Sequence, residues 1–177
     1  MVIGYLGNKI KDYFGDSWNG KKIHYVEQAE LLGTGHAVWQ SKEVIGKNKF
    51  LVLMGDDLYS KKDLEKLIKH DRAMLIQNTD IPSTGGLMKI ENGMIKGITE
   101  CGEPKHGFIY TGACFLDHTI FEANLEKVTP NSKEYGLPQT IVAQNPTRAI
   151  VPVYADFWLR ITSPEDIEEA GNILCAH

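Results

Sequence analysis

The stretch Phe50-Leu51-Val52-Leu53-Met54-Gly55-Asp56-Asp57 decides the fold class. Five consecutive apolar residues, stopped by a glycine and two carboxylates, predict a strand buried on both faces, hence a central place in a parallel sheet. Just downstream, Ser60 opens S-x-x-D with Asp63, a capping box, and Leu64, Leu67 and Ile68 follow at helical spacing. Upstream, Thr34 to Ile45 reads as a helix stopped by Gly46, preceded by a strand from Lys22 to Val26. The first residues repeat the alternation: Val2 to Leu6 as strand, Gly7 to Phe14 as helix. Beyond the loop of residues 81–86, Leu87–Ile90 and Met94–Ile98 form two strands joined by Glu91-Asn92-Gly93, and Asn-Gly is a strong hairpin signal. Phe108 to Leu116 reads as a strand, and Asp117 caps a short helix running to Asn124. A helix over Leu137–Gln144, a strand over Ala149–Tyr154 and a last helix opened by Ser163-Pro164-Glu165-Asp166 complete the chain. The expected class is α/β, mostly parallel, with a β-hairpin insertion, in a single domain over residues 1–177.

Composition narrows the function. The 177 residues are 42% hydrophobic and 24% charged, as expected of a globular chain, and 23 acids against 19 bases leave a net charge of -4. A nonspecific nucleic-acid partner would need a basic face, and none is evident. No apolar run approaches the roughly 20 residues of a membrane span. Met1 to Tyr5 lacks the features of a signal peptide. Three cysteines, Cys101, Cys114 and Cys175, without a C-x-x-C pair argue against a disulfide framework or zinc knuckle. The expectation is a reduced, cytoplasmic protein with no nucleic-acid or membrane partner.

Two segments could carry chemistry. Adjacent acids Asp56 and Asp57 at the carboxyl end of a strand stand where open α/β sheets place ligands, and their repulsion is relieved by a cation such as Mg²⁺. A solvated turn, with Asp57 and Ser60 capping the next helix, explains the same residues equally well. Leu32-Gly33-Thr34-Gly35-His36-Ala37 combines glycines that allow close backbone approach with a helix start that offers free N–H groups. It lacks both the G-K-[ST] of a P-loop and the third glycine of a dinucleotide fingerprint, so a plain strand-to-helix turn is the simpler account of it alone. His36, with no paired acid or nucleophile in sequence, reads as structural.

In order, these pieces resemble the sugar-1-phosphate nucleotidylyltransferases. Ile3 to Ile10 is similar to the family's second strand and helix, and Tyr25 to Ala37 to its base-binding segment. Leu53 to Asp57 resembles its metal-binding strand end, Gly86 to Glu100 its sugar-contacting hairpin, and Trp158-Leu159 with Thr162 to Asp166 its closing strand and helix. The resemblance is strongest to enzymes that use UTP or dTTP with glucose 1-phosphate or N-acetylglucosamine 1-phosphate. It implies a Rossmann-like fold in which Gln28, Gly33 and Thr34 bind the pyrimidine and Asp56 is the catalytic residue and Mg²⁺ ligand. It further implies sugar-phosphate contacts from Gly86, Glu100 and Tyr110, with transfer to a sugar 1-phosphate and release of pyrophosphate.

Three departures accompany the resemblance. The family's opening glycine-rich loop, with its arginine and downstream lysine, has no counterpart here, so the first βα unit is expected to be missing and the chain to be inactive alone and self-associating. Arg160 stands where the family has a further acidic or amide metal ligand, and an arginine cannot ligate a cation. Tyr110 replaces an asparagine before Thr111-Gly112, and a shift of three residues would give Glu103 the role assigned to Glu100. The alternative reading is a non-catalytic nucleotide-sugar-binding paralogue that regulates a complete enzyme.

Overall fold

The computed structural model describes residues 1–79, 86–99, 106–144 and 147–175. In chain order the elements are β1 (Val2–Ile3), α1 (Gly7–Phe14), β2 (Ser17–Trp18), β3 (Lys21–Lys22), β4 (Val26–Glu27), α2 (Gly33–Gln40), α3 (Lys42–Ile45), β5 (Lys49–Val52), β6 (Asp57–Tyr59) and α4 (Lys61–Leu67). There follow β7 (Ala73–Asn78), β8 (Leu87–Glu91), β9 (Met94–Thr99), β10 (Phe108–Asp117), a 3₁₀ turn (His118–Glu122), α5 (Leu137–Ala143), β11 (Val151–Tyr154), β12 (Trp158–Arg160) and α6 (Pro164–Cys175). The class is α/β, as the sequence implies. The chain divides into two compact units, Met1–Lys49 with His118–Gln144, and Phe50–Asp117 with Asn145–His177.

The first unit pairs β1 with β4 in parallel and closes β2 on β3 as a hairpin. That hairpin turns at Asn19 (φ 47°) and Gly20 (φ 73°), the same Asn-Gly chemistry read at residues 92–93 but not expected here. The strand expected from Val2 to Leu6 stops at Ile3, and Leu6 takes a left-handed backbone (φ 57°) that ends it. The long helix expected from Thr34 to Ile45 is broken at Ser41, whose hydroxyl donates to the Val38 carbonyl at 2.6 Å. Such back-bonding offers the backbone an alternative to the helical ladder.

In the second unit six strands pair in the order β11-β7-β10-β8-β9, with β5 on β10. β11 runs parallel to β7, whereas β7–β10, β10–β8 and β8–β9 are antiparallel. The deeply buried strand is β7: its first four residues, Ala73, Met74, Leu75 and Ile76, are wholly inaccessible, and no strand was expected there. Leu67 of α4 joins Ala73, Leu75, Ala113 and Val153 in one core cluster. β5, the strand expected to be central, is half-buried along Phe50–Val52, its one pairing among the described residues is with β10, and Leu53 beyond it is 42% exposed. An apolar run of four or five residues identifies a strand without saying how many neighbours it has. The predicted hairpin is present, with Asn92 at φ 50° and Gly93 at φ 71° between β8 and β9.

α4 starts where the capping box places it, with the Ser60 hydroxyl accepting from the Asp63 amide at 3.1 Å. Asp63 itself is buried and has a second task. Its carboxylate accepts from Lys66 Nζ at 2.8 Å and from the backbone N–H groups of Asp156 (2.8 Å) and Phe157 (3.1 Å). That set fixes the chain entering β12, which pairs antiparallel with β6 through Trp158↔Tyr59, Leu159↔Leu58 and Arg160↔Asp57.

Candidate functional site

The residues expected to contact nucleotide and sugar fall into two groups, one in each unit. In the first unit, Gln28 lies just past β4, and Gly33 and Thr34 begin α2. Gly33 holds φ +90°, and a Cβ there would lie 2.6 Å from the Tyr135 carbonyl oxygen, so no other residue fits without displacing backbone. A Cβ on Gly35 would likewise meet that oxygen at 3.1 Å. These glycines let α2 sit against residues 134–136, where Gly35 N donates to Tyr135 O at 2.9 Å and Tyr135 N to Leu32 O at 2.8 Å. The Thr34 hydroxyl accepts from Leu137 N at 3.1 Å and so serves the start of α5. The Gly33 and Thr34 amides, in the first turn, have no intrahelical acceptor.

The Gln28 amide is held in place. Its nitrogen donates to the Gly33 carbonyl at 3.1 Å and lies 3.0 Å from His36 Nδ1, while His36 Nε2 lies 3.0 Å from the Gln40 amide. Gln40 stands four residues after His36, on the same face of α2. His36, read from sequence as structural, therefore touches a residue expected to bind the base. The available signal was the i, i+4 spacing of His36 and Gln40 downstream of Gln28.

In the second unit, Asp56 follows β5 with its side chain exposed, and its carbonyl accepts from Ile161 N at 3.0 Å. Asp57 differs: Oδ2 accepts from Tyr59 OH and from Trp158 Nε1, each at 3.0 Å. Tyr59 OH also lies 2.8 Å from the Thr111 carbonyl, so its single hydrogen is shared between two acceptors. Burial, and then the negative charge of Asp57, push the Tyr59 hydroxyl well above its ordinary range. The two acids thus divide: Asp57 is built into a hydrogen-bonded corner, and Asp56 is open. No group of three or more His, Cys, Asp or Glu gathers at one point among the described residues.

β10 is distorted beside this corner. Its register against β7 shifts between Tyr110 and Cys114, and Gly112 inside the irregularity takes φ +87°. A Cβ on Gly112 would lie 2.4 Å from Met54 Cγ and 3.0 Å from Tyr59 OH, so glycine is required there for the corner to close. Bulges of this sort recur next to active sites. Thr111 anchors it, donating through Oγ1 to Leu75 O at 3.0 Å. Tyr110 turns inward: its hydroxyl is buried beside the Cys114 thiol, a weak partner, and has no nitrogen or oxygen partner among the described residues. Burial pushes that thiol up to about 12. Gly86 is half-buried just before β8, whereas Glu100 and its alternative Glu103 lie outside the described residues.

The profile of the nucleotidyl transferase family matches residues 4–174. The chain belongs to that family. It is 30% identical to the bifunctional protein GlmU of Methanocaldococcus jannaschii over 178 residues, 98% of this chain and 42% of the relative. It is 37% identical to GlmU of Methanococcus maripaludis over 137 residues, 75% of this chain and 32% of the relative. The chain thus spans two fifths or less of these relatives. Among solved structures it resembles a UDP-glucose pyrophosphorylase complexed with UDP-glucose (TM-score 0.79, 22% identity, covering 99% of this chain and 79% of the other). It also resembles HddC from Yersinia pseudotuberculosis complexed with GMP-PN (TM-score 0.68, 22% identity, 98% and 77%). Among the described residues no helix is long and apolar enough to cross a membrane.

Proposed function

We propose that this chain is a nucleotidyltransferase domain that binds a pyrimidine nucleoside triphosphate, UTP or dTTP, and a sugar 1-phosphate, giving an NDP-sugar and pyrophosphate. The observation that carries the reading is the Gln28 amide, tied through its nitrogen to Gly33 and His36 beside the open amides of Gly33 and Thr34. Uracil and thymine present an N–H flanked by two carbonyl oxygens, which an amide oxygen and backbone N–H groups complement. The GlmU relatives and the UDP-glucose complex of a structural neighbour support the same class.

Asp56, with its carboxylate exposed, has the chemistry to hold Mg²⁺ through that group, the other ligands coming from substrate phosphates and water. When bound, the cation would supply charge neutralisation at the phosphates. Asp57 supports that position by fixing Tyr59 and Trp158. Gly86, Glu100 and Tyr110 are the family positions for the sugar phosphate, with Tyr110 acting through the shape of β10, its hydroxyl being buried. A cytoplasmic homo-oligomer is the state in which we expect the domain to work.

A second reading, a nucleotide-sugar-binding regulator without turnover, is favoured by Arg160, which faces Asp57 across β6–β12 where a further metal ligand is expected. Titration calorimetry with UTP, dTTP, ATP and GTP in Mg²⁺, run beside a pyrophosphate-release assay with glucose 1-phosphate and N-acetylglucosamine 1-phosphate, separates the readings. Preference for UTP or dTTP of at least about tenfold is expected if the hydrogen-bonding edge selects the base. Pyrophosphate release identifies the enzyme and excludes the regulator, binding without release is the outcome expected both of the regulator and of a chain inactive alone, and equal affinity for ATP defeats both.

A further inference from the structure

We propose that His36 is a positioning residue that fixes which end of the Gln28 amide faces the nucleotide, so that the site selects a base carrying an N–H between two carbonyls. The assignment rests on the pyrimidine-nucleotide reading above and adds the device that makes it selective.

The argument follows from donor and acceptor counts. The Gly33 carbonyl can only accept, so the Gln28 atom 3.1 Å from it is the amide nitrogen. The same nitrogen lies 3.0 Å from His36 Nδ1, and its second hydrogen is directed there. Nδ1 must then accept, which makes His36 a neutral imidazole with its hydrogen on Nε2. Nε2 in turn lies 3.0 Å from the Gln40 amide nitrogen. That nitrogen also lies 3.4 Å from the His36 carbonyl, a weaker anchor than the 3.1 Å bond that holds the Gln28 nitrogen on Gly33. Two donors cannot face each other, so the Gln40 amide is the one turned over, giving up that contact and accepting from Nε2 through its oxygen. The result is a directed chain, from Gln28 to His36 and from His36 to Gln40, anchored at Gly33.

Both hydrogens of Gln28 are consumed inside the protein, and its Oε1 is left as the outward atom on a half-exposed residue. An outward oxygen accepts from N3–H of uracil or thymine. Cytosine offers a lone pair at N3, which that oxygen repels. Without His36 the Gln28 nitrogen has one tether in place of two, and the amide can turn its NH₂ toward a cytosine.

The test compares UTP with CTP, bases of one size and opposite pattern, by calorimetry in Mg²⁺ on the wild type, His36→Ala and His36→Asn. The wild type should favour UTP by at least about tenfold, and His36→Ala should cut that ratio about fivefold, the worth of one neutral hydrogen bond. His36→Asn, which can place an accepting oxygen near the former Nδ1, should restore most of it. ¹⁵N spectra of the nucleotide-free wild type should show His36 with Nδ1 unprotonated and Nε2 protonated at neutral pH. Equal weakening of UTP and CTP in His36→Ala, or a hydrogen on Nδ1, overturns the assignment while leaving the functional reading intact. No UTP binding by the wild type overturns both.

Discussion

Asp63→Asn is the substitution whose consequence can be followed furthest. The buried carboxylate accepts from Lys66 Nζ and from two backbone N–H groups, those of Asp156 and Phe157. A hydrogen bond to a charged group contributes about 1.5–3 kcal/mol and one to a neutral group about 0.5–1.5. The asparagine oxygen can still serve both backbone donors, so the change at those two bonds costs about 2 kcal/mol in total. Its NH₂ then faces the Lys66 ammonium, which loses that acceptor. For a domain of this size about 2 kcal/mol lowers the melting temperature by roughly 4–8 °C. The pH dependence carries the sign. Burial pushes the Asp63 carboxyl up, but hydrogen bonds from Lys66, Phe157, Ser60 and Asp156 outweigh it and hold the group below the usual carboxylate range. A depressed folded-state value gives stability that is present above the unfolded value of about 3.9 and is lost as pH falls through the folded one. Urea unfolding of wild type and Asp63→Asn should therefore differ most near neutrality, and the gap should narrow as the pH is taken below about 4. A melting temperature unchanged at pH 7, or a gap that stays constant into acid, would refute this account of Asp63.

Three further outcomes are expected. Gly33→Ala should lower stability by roughly 2 kcal/mol or more, because it adds both a positive-φ penalty and a clash with the Tyr135 carbonyl; Gly46→Ala, at φ +59° and ψ -126° with nothing within 4 Å, should cost the backbone penalty alone, about 1–3 kcal/mol, in the same thermal melts. Asp56→Asn should abolish Mg²⁺-dependent nucleotide binding without moving the melting temperature, whereas Asp57→Asn should change Trp158 fluorescence and stability more than binding; equal binding losses at both would mean that the roles are mis-assigned. Tyr110→Phe removes a buried hydroxyl whose neighbour is the weakly bonding Cys114 thiol, so urea unfolding should show a change within about 1 kcal/mol, and a larger loss would mean that the hydroxyl is better held than this.

Local signals were the legible ones. The Ser60 cap and the Asn92-Gly93 turn are chemistry between neighbours in sequence, and both are present. The same turn chemistry at Asn19-Gly20 was equally available. Sheet position was not legible. Phe50 to Met54 and Ala73 to Ile76 are similar apolar runs, and only tertiary pairing makes the second the buried strand. In the candidate site, the family positions Gln28, Gly33 and Thr34 lie together at the start of α2, but the reasons for them are long-range. Gly33 answers to Tyr135, the Thr34 hydroxyl to Leu137, and Asp57 to Trp158. Such partners lie about a hundred residues away and leave no spacing to read.

The brace between Gly33-Thr34-Gly35 and residues 134–137 has a temporal meaning as well. During synthesis the chain emerges from its amino end, so β4 and the α2 segment leave the ribosome long before Tyr135 exists to receive the Gly35 amide. Until then Gly33 has no neighbour to justify its left-handed backbone. Everything from Phe50 to Asp117 must be made in the interval, at synthesis rates of about 5–20 residues per second. The turn at Gly33 therefore takes its shape well after it is made, and a nascent chain stalled before Glu134 carries Gln28 and His36 without the support that orders them.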